Sequence, residues 1–344
     1  MGQPDLESAW THLPGACGPP PVSALLRSEP DDFRVRELLN FDPGGEGEHL
    51  LLRLRKVGWN TGDVARWLAG ALGVKRRLVT FAGRKDRHAV TEQWFGVHCP
   101  GQYPELPELP DGLTLLEATR HHRKLRLGAL VGNAFRIRLR DLQGPTALLH
   151  RRLHAVARHG VPNYFGDQRF GIDGGNLRGA SRLFQGQRMR DRTLRGLYLS
   201  AARSFLFNRV LATRVANGTW NRVLPGDLMT FSGSRSVFPA DAETPDDKRV
   251  AALDLHPTGP MPGIDGLQPF ATAHDLEQEV METWPTLSAG LRDYRVHAER
   301  RALRLPVTAL GWHRDADDLV LSFRLPPGAF ATAVLREIAD IRKG

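Results

Sequence analysis

The run Phe135-Arg136-Ile137-Arg138-Leu139-Arg140 alternates apolar and cationic residues without a break. Successive side chains of an extended backbone point to opposite faces, so this pattern belongs on a strand. Phe135, Ile137 and Leu139 would then be buried, and Arg136, Arg138 and Arg140 would line the other face. Such a strand needs a sheet with a core on one side. Two more stretches carry the same alternation, Asp31-Asp32-Phe33-Arg34-Val35-Arg36-Glu37 and Leu50-Leu51-Leu52-Arg53-Leu54-Arg55. Residues 76–98 have strand-like ends around a charged, glycine-containing centre. Val307 to Leu325 reads as a hairpin around Asp315-Ala316-Asp317-Asp318.

Helical spacing interleaves with these strands. Thr61-Gly62-Asp63 opens a helix with Val64, Leu68 and Leu72 at spacing four and Gly73 as its stop. Residues 146–159 predict a second helix, closed by Gly160. A long one over 193–217 places Leu197, Ala201, Phe205, Asn208, Leu211 and Val215 near one face, with Gly218 after it. Further helices are expected at 274–283, stopped by Pro285, and at 329–340, carrying Phe330, Val334 and Ile338. Residues 1–22 read as a loose Pro/Gly-rich arm, and 225–268 as loops with short strands. Strands and helices mix without regular βαβ alternation, which favours an α+β fold over a doubly wound sheet. A chain of 344 residues has room for two domains.

Charge gives the first hint of a partner. Lys plus Arg number 47 against 38 acids, a formal net charge of +9, and a basic surface favours a polyanion such as nucleic acid. An arginine-rich high-GC genome would give the same surplus, so composition leaves the two readings level. Other classes fall away. No apolar run approaches the roughly eighteen residues of a membrane span. The opening Met1-Gly2-Gln3-Pro4-Asp5 is unlike a signal peptide. Cys17 and Cys99 lie too far apart for a motif and too few for a disulfide framework, so a reducing cytoplasm is expected. There is no phosphate-binding G-x-x-x-x-G-K-[ST] loop, no G-x-G-x-x-G after a strand and no G-x-S-x-G elbow. Adjacent His121 and His122 diverge and make a poor metal pair. Neither a small-molecule cofactor nor a metal is expected.

The segment Gly83-Arg84-Lys85-Asp86-Arg87-His88-Ala89-Val90-Thr91-Glu92-Gln93 is the densest in chemistry. Cationic neighbours favour the charged form of a carboxyl group, and a carboxylate can serve as nucleophile or base. In isolation, the string also fits a charged β-turn with Asp86 paired locally. A longer series decides between them. Phe33-Arg34-Val35-Arg36-Glu37, Gly83-Arg84-Lys85-Asp86-Arg87 with Ala89-Val90-Thr91-Glu92-Gln93-Trp94, and Gly132-Asn133-Ala134-Phe135 occur in order. Pro162-Asn163-Tyr164-Phe165-Gly166-Asp167-Gln168-Arg169-Phe170-Gly171 follows, then Ser200-Ala201-Ala202-Arg203-Ser204 with Leu206-Phe207-Asn208. Leu325-Pro326-Pro327-Gly328-Ala329-Phe330-Ala331-Thr332 closes the series. Together these resemble the TruD-type tRNA pseudouridine synthases over most of the chain. One departure is Leu38-Leu39, where relatives often carry a proline.

The resemblance implies isomerisation of uridine to pseudouridine in tRNA, at position 13 in bacterial relatives, without redox change or energy source. It implies that Asp86 is the catalytic carboxylate, as nucleophile or as base, and that Phe33, Asn133 and Phe330 contact the target uridine. An Asn amide offers both a donor and an acceptor to a uracil edge. Core packing is the ordinary alternative for Phe33 and Phe330. Lys85 and Arg87 are expected either at phosphate or as solvated surface charges. The implied fold is a mixed, largely antiparallel sheet with helices, interrupted by an inserted α/β domain. The catalytic part would be 1–158 with 312–344, and the insert 159–311. The partner would be tRNA, with no membrane. Two rivals remain at this stage: a non-catalytic RNA-binding protein, and another RNA-modifying enzyme such as a methyltransferase.

Overall fold

A computed structural model of the chain describes residues 6–342 apart from 102–103, 107 and 241–246. The first five residues of the expected N-terminal arm, and part of the loop-rich stretch expected at 225–268, lie outside the described residues.

A short helix α1 (Leu6–Ala9) precedes β1 (Val22–Leu26), β2 (Phe33–Leu39) and β3 (His49–Lys56). Helix α2 (Thr61–Ala71) follows, buries Val64, Ala65 and Leu68, and ends before Gly73, whose φ of +64° suits a residue without Cβ. Then come β4 (Val79–Phe81), β5 (Val90–His98), β6 (Leu113–His121) and β7 (Leu130–Gln143). The middle of the chain holds α3 (Thr146–His159), β8 (Val161–Pro162), α4 (Gly175–Phe184) and α5 (Arg192–Ala216). Next are β9 (Leu228–Phe231), β10 (Phe238–Pro239), α6 (Asp247–Ala251), β11 (Leu255–Met261) and α7 (Ala271–Thr283). Pro285 was expected to stop α7. It also opens a further helix, α8 (Pro285–Asp293), because proline lacks only an N–H that the first helical turn leaves unbonded anyway. After β12 (Glu299–Ala302) and β13 (Arg304–Leu305), the expected hairpin forms as β14 (Thr308–Asp315) and β15 (Asp318–Leu325). The last helix, α9 (Ala331–Ile338), is shorter than expected. Ala339 turns extended and begins β16 (Ala339–Arg342).

The chain divides into two compact units. The sheet unit comprises residues 22–145, 307–328 and 340–344, and the helical unit 1–21, 146–306 and 329–339. In the sheet unit the strand order is β14-β15-β7-β2-β5-β3-β6, with β1 beside β7, β16 beside β1 and β4 beside β5. β2 and β5 run parallel, whereas the ladders β2–β7, β7–β15, β14–β15, β3–β5, β3–β6, β4–β5 and β1–β7 are antiparallel. The fold is thus α+β with a mixed, largely antiparallel sheet. β7 buries Phe135, Ile137 and Leu139. Its cationic face differs from the open arginine row expected. Arg138 is paired with Asp315 at 2.6 Å and Asp318 at 2.8 Å, and Arg140 with Asp32 at 2.8 Å and Glu29 at 3.1 Å. Those acids come from the hairpin tip and from the turn before β2, which sequence spacing could not bring to β7.

The helical unit is organised on α5. Phe205, Phe207, Leu211 and Val215 join Tyr164, Phe165, Trp284 and Leu291 in one core cluster. Asn208, on the buried face of this helix, accepts from the Phe165 N–H and donates to the Phe165 carbonyl, both at 2.9 Å. This closes the Asn163–Gly171 segment onto α5. Among the described residues, no helix is long and apolar enough to cross a membrane.

Candidate active site

The loop 82–89 joins β4 to β5 in the sheet unit. It is short, charged and non-repetitive, so it depends on side chains to fix its backbone. Four of them do so. Gln93, fully buried on β5, donates to the Gly83 carbonyl at 2.7 Å and accepts from Thr61 Oγ1 at 2.9 Å. Thr61 Oγ1 in turn accepts the Lys85 N–H at 2.9 Å. Arg87 Nε donates to the Gly58 carbonyl at 2.9 Å. Beneath the loop lies Lys56, with no exposed surface. Its ammonium donates to the carbonyls of Trp59 at 2.8 Å, Asp86 at 2.9 Å and Lys85 at 3.3 Å. Burial pushes the Lys56 ammonium down to about 8, with Asp86 opposing, Lys85 adding to the push and Glu37 opposing.

Asp86 projects from this fixed backbone with its side chain 63% exposed. Oδ2 accepts from Arg27 Nη2 at 2.8 Å, and the Arg27 guanidinium also lies 4.2 Å from the Phe33 ring centroid. Arg27 holds a φ of +62°, which a non-glycine residue adopts only at a cost. Phe33 is buried and meets Phe135 edge-on, and Phe135 stacks on Phe323. The strand β2 therefore gives Phe33 a core role, while its ring still holds the cation that touches Asp86.

Lys85, expected at a phosphate or as a solvated charge, is neither solvated nor unpaired. Its side chain is 9% exposed and its ammonium meets Glu37 Oε1 at 2.7 Å. Glu37 is buried on β2, and its Oε2 accepts the Trp94 N–H at 2.9 Å. Burial raises the Glu37 carboxyl above the ordinary range, against the pull of Lys85, the Trp94 N–H and Lys56. Directly across the β2–β7 ladder from Glu37 stands Asn133, which also pairs with Leu325 of β15. Asn133 is half-buried, and its Oδ1 is enclosed without a hydrogen-bond partner. An enclosed amide oxygen with no donor is uncommon, because the desolvation is not repaid. Arg87 is exposed. Phe330 belongs to the helical unit, where it precedes α9 and packs partly buried against the α5 core cluster.

Arg27, Lys56, Thr61 and Gln93 do structural work at this loop that the sequence reading did not assign. Glu37 and Gln93 do fall inside matched motifs, and an acid or amide kept on a strand interior was the available signal. Lys56 ends a strand whose other lysine-free positions gave no hint of a buried cation. Arg27 lies outside every motif, and its role depends on a left-handed backbone turn.

The chain is similar to known proteins along nearly its whole length. The family model described as tRNA pseudouridine synthase D (TruD) matches residues 16–182 and 177–338. A tRNA pseudouridine synthase D from Azotobacter vinelandii is 48% identical over 331 residues, covering 95% of this chain and 93% of its own. One from Pseudomonas aeruginosa is 46% identical over 345 residues, covering 99% and 96%. A crystal structure of a TruD protein from Methanosarcina mazei superposes with a TM-score of 0.73 over 99% of each chain, at 22% identity, which supports the fold.

Proposed function

Because the chain belongs to the TruD family of tRNA pseudouridine synthases, we propose that it isomerises uridine 13 of tRNA to pseudouridine with Asp86 as the catalytic carboxylate. The observation that carries this reading is the contrast at residue 86. Its backbone is clamped from below by a buried lysine, while its carboxylate is left open on one side. Catalysis rewards a reacting group whose position is fixed before substrate arrives. The reaction breaks the C1′–N1 bond, turns the uracil and forms a C1′–C5 bond; C5 then gives up its proton and N1 ends protonated, so atoms balance. A carboxylate in this position supplies either a nucleophile for the sugar or a base for the C2′ proton.

The base has to leave its stack to be turned, and flipped bases are commonly held on aromatic rings and by hydrogen bonds to their edges. Asn133 Oδ1, enclosed and without a donor, suits the N3–H of uracil. Phe33 would present its ring to the base once the Arg27 guanidinium is shared with, or moved by, the substrate. Phe330 joins the set on the resemblance. Arg87 is exposed and suits a phosphate. Lys85 serves by holding its loop to Glu37. The division into a catalytic part, 1–158 with 312–344, and an insert, 159–311, belongs to the same proposal. Excision of 159–311 should leave a folded remainder that no longer selects tRNA.

The test is to incubate unmodified tRNA with the protein and map pseudouridine by position. Conversion at uridine 13 by the parent protein, lost in Asp86→Asn, is expected. Conversion elsewhere would overturn the position, and an active Asp86→Asn would overturn the residue.

A further inference from the structure

Arg169 and Arg301 lie against one ring in the helical unit. The Arg301 guanidinium carbon is 4.2 Å from the Phe165 centroid and 5.7 Å from that of Phe207, and that of Arg169 is 5.2 Å from the Phe165 centroid. A guanidinium carries five N–H donors. Among the described residues, Arg301 donates from Nη2 to Asn163 Oδ1 at 2.6 Å, and Arg169 from Nη1 to Ser200 Oγ at 3.0 Å. The Nε of each is enclosed without a partner. Among the described residues, neither arginine meets a carboxylate. Burial pushes Arg301 down to about 10, and Arg169 beside it pushes the same way. Both remain charged at neutral pH.

The neighbouring arginines show how this chain otherwise treats the problem. Arg300, next to Arg301 on β12, is clamped by Glu277 at 2.6 and 2.8 Å. Arg214 is clamped by Asp227, with both oxygens at 2.9 Å. Arg304 has no acid but gives its protons to His256 and to the carbonyls of Val250 and Leu255. Among the described residues, Arg169 and Arg301 have one neutral acceptor each and a ring face, and a ring cannot accept the remaining in-plane N–H bonds. Two desolvated like charges without an anion are costly. Both residues are half-buried, so each keeps part of its surface open to solvent although its Nε is enclosed.

We propose that Arg169 and Arg301 form an anion site that takes a backbone phosphate of the RNA substrate. The planar forks suit the oxygens of a phosphodiester. The choice of RNA rests on the proposed function and on the net charge of +9.

The experiment measures the Kd for tRNA against KCl concentration for the parent protein, Arg169→Gln, Arg301→Gln and Arg301→Lys, with melting temperatures on the same preparations. Each Gln variant should weaken tRNA binding several-fold and flatten the slope of log affinity against log salt by about 0.7–0.9. Arg301→Lys should keep the slope. In turnover the loss should appear in KM rather than kcat. Inorganic phosphate should raise the melting temperature of the parent more than that of either Gln variant. An unchanged slope in Arg169→Gln, whose side chain is less engaged in packing, would overturn the proposal even if Arg301→Gln unfolds. So would an Arg301→Lys slope equal to that of Arg301→Gln, since charge would then not matter. Absence of pseudouridine with these binding results intact would overturn the proposed reaction and leave the phosphate site standing.

Discussion

The loop that carries Asp86 and the arginine pair around Phe165 handle buried charge in opposite ways. In the sheet unit the covered charges that hold the loop, and Asp86 itself, are answered from within the chain. Lys85 meets Glu37, Lys56 meets three carbonyls, and Arg27 meets Asp86. Arg138 and Arg140 of β7 are answered too, by Asp315, Asp318, Asp32 and Glu29. In the helical unit Arg169 and Arg301 are left with one neutral acceptor each. Internal pairing fixes geometry and spends the charge. An unanswered charge fixes little and keeps its attraction for a ligand. The first arrangement suits a group that must react from one position, and the second suits a group that must hold a polyanion. Net charge alone would have given every arginine the second role.

The largest effect should come from Asp86→Asn. It keeps the shape and removes the carboxylate, so pseudouridine formation should fall by about 10³-fold or more. The melting temperature should barely move, because the side chain is 63% exposed and its pair with Arg27 is of the surface kind. Binding of tRNA should hold or tighten slightly as a negative charge near phosphate is lost. A lower melting temperature with activity lost in proportion would instead make Asp86 a structural turn residue.

Lys56→Met removes the clamp below the loop and leaves three carbonyls without their donor. Misplacement of a reacting group by an ångström costs about 10²-fold, so kcat should fall by that order with little change in tRNA affinity. The pH response sharpens the point. The folded-state pKa is near 8, below the ordinary 10.5. A neutral amine has only two N–H donors for three carbonyls, so parent activity should decline as pH rises past about 8, and Lys56→Arg should not show this decline. Stability should respond with the opposite sign. Between about pH 8 and 10.5 the unfolded lysine binds more protons than the folded one, so this residue's contribution rises with pH there. Parallel pH profiles for the parent and Lys56→Arg would separate Lys56 from the loop.

Glu37→Gln tests the buried pair itself. Removing one partner of an enclosed ion pair typically costs about 3–5 kcal/mol, and both side chains here are almost fully covered. Denaturant unfolding should show that loss, with activity falling only as far as the protein unfolds or its loop shifts. A stability change below about 1 kcal/mol, the scale of a surface pair, would mean that Lys85 finds another partner.

The smallest effect is expected for Arg138→Gln on β7. Its charge is already shared by Asp315 and Asp318, so tRNA affinity and its salt slope should stay near those of the parent. A fall in slope of about one contact would show that paired arginines still bind RNA, and would erase the contrast with Arg169.

Local order in this chain decided much of its own form. The alternation at Phe135–Arg140 required a strand with one buried face. The spacing of Val64, Leu68 and Leu72 with Gly73 behind it required a helix and its end. The ordered motifs, read together, carried the family and brought attention to Asp86 and Asn133. These features were legible because periodicity and short motifs are properties of neighbours in the chain. Pro285 was legible as a stop for one helix but not as the start of the next, since one residue can do both.

Partners far apart in the chain were decided by tertiary structure. Glu37 and Lys85 are 48 residues apart, Arg27 and Asp86 are 59 apart, and Arg138 finds its acids 177 and 180 positions on. No local pattern records which acid will reach which cation, because that choice depends on strand order and register. The same holds for Arg169 and Arg301. The sequence made them arginines, but only the fold, by burying both against Phe165 and sending Glu277 to Arg300 instead, left them without a counter-charge.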